Sequence, residues 1–157
     1  DPIIIAGIRF RPELLHNLDA DDGFALPTPR AWAAVSKVMD APEAVLFEAM
    51  RGLVGEGPAG EMHAFVQTYR QLPPLATIWK DPENAPLPHE AAAQYAVTAA
   101  LAYHATPDNI EAGDAYTNRL PREFNVAFMH DAIRRNPAVM QTRTFVSWSK
   151  RNVNILI

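Results

Sequence analysis

Apolar residues recur along this chain at helical spacing. Leu46, Met50, Leu53 and Val54 fall at i, i+4, i+7 and i+8. Met62, Phe65, Val66 and Tyr69 fall at i, i+3, i+4 and i+7. Each set makes one apolar stripe, as in an amphipathic helix packed on a core. Trp32, Val35 and Met39 repeat the pattern. Residues 89–104 are rich in alanine and carry Tyr95, Val97, Leu101 and Tyr103. Alanine has the best helix propensity and lets neighbouring helices approach closely, so this segment is predicted to be the most buried helix. Phe124, Phe128 and Ala132 mark another helix, which runs into Arg134-Arg135, and Phe145 and Trp148 mark the last. Residues 3–10 are apolar and fit a short helix or a strand. Asp1-Pro2, as cap and first position, favours the helix.

Proline punctuates these stripes. Of 14 prolines, Pro2, Pro12, Pro29, Pro42, Pro58, Pro74, Pro88, Pro107, Pro121 and Pro137 stand just before segments of helical periodicity. Proline costs about 3 kcal/mol inside a helix but little in its first turn, so these residues read as helix starts. Thr106-Pro107-Asp108 is predicted to cap a helix that Gly113 weakens. No second strand is legible, so a sheet lacks partners. The predicted fold class is all-α, an irregular bundle of about seven to nine short helices.

Composition narrows the function. The length, 157 residues, suits one domain or one domain with a short appendage. No apolar run is long enough to span a membrane and no signal-peptide pattern opens the chain, so no membrane partner is expected. The absence of cysteine excludes disulfides and thiol chemistry and fits a cytoplasmic protein. A net charge of −4 argues against nucleic acid as a partner. Asp1 in place of methionine suggests a piece of a longer protein.

Several motifs resolve to plain structure. Gly55-Glu56-Gly57-Pro58-Ala59-Gly60 matches G-x-G-x-x-G, but a helix precedes it where a dinucleotide site needs a strand, so a helix–loop–helix turn is predicted. His89-Glu90-Ala91-Ala92-Ala93 lacks the second histidine of a zinc site. Asp19-Ala20-Asp21-Asp22-Gly23 lacks the geometry of a calcium loop and reads as a solvated acidic loop. His16, His63, His104 and His130 keep no ligand spacing, so no metal site is expected. Neither a nucleophile elbow nor a phosphate loop is present. The chain by itself is therefore not expected to be an enzyme.

Leu26-Pro27-Thr28-Pro29-Arg30-Ala31-Trp32 stands apart. Thr28 can cap a helix whose first residue is Pro29. That places Arg30 in the first turn, where the helix end repels a cation. An external anion would reconcile the two, since an amide-rich helix start and a guanidinium together bind phosphate.

These residues, following Arg9-Phe10-Arg11-Pro12-Glu13-Leu14-Leu15-His16, resemble the C-terminal lid of MoxR-like AAA+ ATPases. Gly52-Leu53-Val54-Gly55-Glu56-Gly57 with Phe65, then Arg119-Leu120-Pro121-Arg122-Glu123-Phe124 and Arg134-Arg135-Asn136-Pro137, resemble the same subgroup's C-terminal extension. The resemblance implies a lid-like segment over residues 1–40 and a helical extension over 41–157, packed as one unit with the first. It implies that Arg30 is the sensor-2 arginine, reaching the γ-phosphate of ATP held on a separate α/β domain. Thr28, Arg9 and Arg11 are secondary candidates. Arg9 and Arg11 either face a neighbouring subunit's nucleotide or are ordinary surface charges. ATP and Mg²⁺ are implied for the parent ATPase, with neither expected on this chain alone. The implied partners are the N-terminal AAA+ domain of the same chain, further copies in a ring, and a von Willebrand factor A-domain protein. The competing reading is a self-sufficient helical interaction module, with Trp32, Trp79 and Trp148 available for docking.

Overall fold

Asp1 caps the opening helix, its carboxylate accepting the Ile3 amide at 2.7 Å, with Pro2 in the first position. The computed structural model describes residues 1–16 and 25–153. The acidic loop read at 19–23 lies outside them. Among the described residues the secondary structure is helical throughout, with no strand. The chain is all-α, and its backbone divides into two compact units, Asp1–Gln71 and Leu72–Ile157. The boundary implied at residue 40 falls inside the first unit.

The first unit holds α1 (Pro2–Phe10), a 3₁₀ turn (Pro12–Leu14), α2 (Pro29–Val35), α3 (Glu43–Val54) and α4 (Glu56–Arg70). Residues 3–10 are thus helix. The stripes on α3 and α4 meet each other and Trp32 and Val35 of α2 in one apolar core. Gly55 alone links α3 to α4, at φ 88°. An L side chain is strained there, which is why a glycine stands at this point. Gly57 and Gly60 have open space where a Cβ would go. The glycine pattern is therefore a helix–helix turn in which only Gly55 answers a backbone demand.

The second unit holds α5 (Leu75–Lys80), α6 (Ala91–Tyr103), α7 (Ile110–Thr117), α8 (Arg122–Arg135), a 3₁₀ turn (Pro137–Gln141) and α9 (Arg143–Arg151). Alanine-rich α6 packs closely on α8 and buries six of its residues. By fraction α7 is more buried, with five of its eight residues enclosed. Gly113 explains this: a Cβ there would lie 2.3 Å from Phe128 Cζ. The glycine read as a weakness of this helix is what lets the Phe128 ring approach. Asn109, not Thr106, organises the helix start. Its side chain accepts the Thr106 amide at 2.7 Å and donates to the His104 carbonyl at 3.0 Å.

Candidate functional site

Helix α2 begins as its sequence requires. Thr28 is extended, at φ −132° and ψ 159°, and its hydroxyl accepts the Ala31 amide at 3.2 Å. Pro29 has no amide proton to offer. The Trp32 amide already bonds the Thr28 carbonyl at 3.0 Å. Of the first-turn amides only that of Arg30 is left, so the helix start contributes little to anion binding. The anion site expected from backbone and side chain together reduces to the guanidinium.

Arg30 is exposed, and among the described residues no hydrogen bond or ion pair engages its guanidinium. Trp32, two residues on, is 2% exposed. Its indole Nε1 donates to the Leu14 carbonyl at 2.6 Å. Leu14 closes the 3₁₀ turn that follows Arg9 and Arg11. The stretches 9–16 and 28–32 are thus joined by one buried hydrogen bond, with Arg30 turned to solvent.

The other candidates differ in kind. Thr28 acts as a cap. Arg9 is exposed in the last turn of α1. Arg11 is engaged by two carboxylates of its own unit, Nε to Glu13 at 2.6 Å and Nη2 to Glu61 at 2.7 Å. The hydrogen bond to Glu13 and the charge of Glu61 raise the Arg11 pKa further. In turn, a bond to its own backbone amide and the bond from Arg11 hold the Glu13 carboxyl below the usual range. Arg11 is therefore a neutralised surface group, unlike Arg30. No group of three or more His, Asp or Glu side chains converges as a metal site among the described residues. An open cleft of about 400 Å³ is lined by His130, Asp131, Ile133 and Arg134.

The conspicuous polar chemistry of the second unit is buried and structural. Asn125 donates from Nδ2 to Asp114 Oδ1 at 3.0 Å and to Thr117 Oγ1 at 2.9 Å, and accepts from Trp148 Nε1 at 2.8 Å. Arg151 closes the group with a 2.6 Å bond to Asp114 Oδ2. Arg119 donates to the carbonyls of Pro82 and Ala85, and the Tyr116 hydroxyl donates to that of Pro86 at 2.7 Å. Desolvation raises the Tyr116 pKa. Arg119 and Tyr116 thus fasten the proline-rich loop 81–90, which gives the motif at 119–124 a scaffolding role. Asn125 itself was missed from sequence, although it left a signal. It stands at position i of the stripe Phe128, Met129, Ala132, where a polar residue implies buried hydrogen bonds.

Comparison with family models, curated proteins and solved structures finds no match to this chain.

Proposed function

We propose that this chain is the helical lid and C-terminal extension of a MoxR-like AAA+ ATPase, with Arg30 as its sensor-2 arginine. The observation that carries this reading is the Trp32–Leu14 hydrogen bond. It joins the two stretches on which the resemblance rests and fixes α2 with Arg30 outward and unengaged. Arginine stays protonated and presents a planar fork of donors suited to phosphate oxygens. ATP with Mg²⁺ would be bound on the preceding α/β domain, whose phosphate loop and acidic residue supply the hydrolytic chemistry. Arg30 donates to the γ-phosphate and makes the position of this unit depend on the nucleotide state. Arg11, paired with Glu13 and Glu61, plays no part in that contact. In the assembled cytoplasmic protein, copies form a ring. The second unit is the surface offered to a von Willebrand factor A-domain partner, which hydrolysis remodels.

The test is Arg30→Ala in the full-length protein. Loss of one charge-stabilising arginine is expected to lower ATP turnover by about tenfold or more. Unchanged turnover and unchanged ring formation would leave only the interaction-module reading.

A further inference from the structure

The first unit carries a polar cluster that the nucleotide reading does not use. Glu43 stands in the first turn of α3. Its carboxylate accepts from three side chains of α4: His63 Nε2 at 2.8 Å, Gln67 and Arg70. Positions 63, 67 and 70 are i, i+4 and i+7, so one face of α4 converges on one carboxylate. Arg70 also donates from Nη2 to the Met39 carbonyl at 3.1 Å. A guanidinium fork can serve both acceptors at once, whereas a lysine ammonium is a single point charge. His63 is seated edge-on against Phe47 of α3, ring centroids 5.6 Å apart. The donors, His63 foremost, hold the Glu43 carboxyl below the usual carboxylate range.

An isolated ion pair this exposed contributes little, but a network that shares partners and orders several side chains is the exception. Nor do α3 and α4 depend on it to pair. Leu46, Met50, Met62 and Val66 are fully buried in their shared core. The distinctive contact is the one to Met39. It lies in the segment 36–41, which leads out of α2 through short turns at Lys37, Val38 and Ala41. Helix α2 is only seven residues long. Trp32 ties it to the Leu14 turn, and Arg70 ties the segment that follows it to the last turn of α4.

We infer that Glu43 and Arg70 are positioning residues, a clasp that fixes the 36–41 segment and through it the direction of α2 and of Arg30. The consequence for Arg30 rests on the nucleotide reading above. The clasp itself rests on the contacts just described.

Glu43→Gln and Arg70→Lys test it, with two readouts. The first is amide exchange in this chain. In both variants the amides of Lys37, Val38 and Ala41 should exchange faster, on the order of tenfold, while core amides of α3 and α4 keep their protection. Unchanged exchange in that segment overturns the clasp. The second is ATP turnover by the full-length protein. Each variant should lower kcat several-fold and weaken binding of a non-hydrolysable ATP analogue, in the same direction as Arg30→Ala and by less. Combined with Arg30→Ala, neither should add a further loss, because both act through one group. Fully additive losses overturn the positioning role. If Arg30→Ala alone leaves turnover unchanged, the nucleotide reading fails and takes the positioning role with it, while amide exchange still decides the clasp.

Discussion

The two units handle polar chemistry in opposite ways. Every buried polar or charged residue among those described, Thr98, Asp114, Thr117, Asn125 and Asn152, lies in the second unit. The first unit keeps an apolar core and places its charged groups outside, in the Glu43 cluster, the Arg11 pairs and Arg30. Its main buried side-chain bond runs from Trp32 to a backbone carbonyl. A buried network demands one arrangement, because any unmatched partner loses its hydration without replacement. An exposed clasp on an apolar core can loosen at small cost. The second unit is thus held in one arrangement by buried polar bonds, whereas the first rests on an apolar core with most of its polar contacts at the surface.

The sharpest way to break this contrast is Asn125→Ala. It strands the Trp148 N–H and takes one donor each from Asp114, which keeps Arg151, and from Thr117, which keeps the Gly113 carbonyl. A loss of about 2–4 kcal/mol is expected, confined to the second unit. Urea unfolding followed by amide exchange in α6 and α8 measures it. A loss below about 1 kcal/mol, the size of one ordinary hydrogen bond, would show that the network does not hold the unit together.

Next in size is a pair of glycines. At Gly113 a new methyl meets the rigid Phe128 ring at 2.3 Å, so Gly113→Ala should cost about 1–3 kcal/mol. At Gly7 the nearest atom, at 2.6 Å, is Met62 Sδ on a flexible side chain. The Phe65 ring also lies at 3.1 Å, but the gain of about 1 kcal/mol in helix propensity offsets part of the crowding, so Gly7→Ala should cost less than Gly113→Ala. Equal costs in thermal unfolding would contradict the view that the second unit is the less adaptable.

The smallest effect is on pH. The Glu43 carboxyl is depressed in the folded state. Its contribution is therefore present above the ordinary carboxylate pKa and is lost as pH falls through the lowered folded value. Acidification across that window should lower the protection factors of the Val38 and Ala41 amides, each taken against the intrinsic rate at that pH, before those of α8 respond. Simultaneous loss in both units would erase the distinction.

The helices were legible because stripe and start signal coincide. Pro2, Pro12, Pro29 and Pro137 occupy the first positions of their helices or turns, and Pro42, Pro74 and Pro121 the caps just before. The unit boundary was not legible, since periodicity shows which face of a helix is buried but not which faces meet. At the Leu72-Pro73-Pro74 break, Pro74 reads as the start of one more helix and carries no sign of a boundary between units. Thr28 and Arg30 were placed from local rules of capping, which depend on neighbours in sequence. The fates of Arg11 and Asn125 were not, because Glu61 and Trp148 are distant in sequence and only the folded chain brings them near.

Arg30 is proposed to face a γ-phosphate. Affinities of the full-length protein for ADP and for a non-hydrolysable ATP analogue, with and without Arg30→Ala, test it most directly. Removing one charge-assisted contact should weaken the triphosphate by about 10- to 100-fold and leave the diphosphate unchanged. Equal affinities for the analogue in both proteins, or equal losses for both nucleotides, would contradict it.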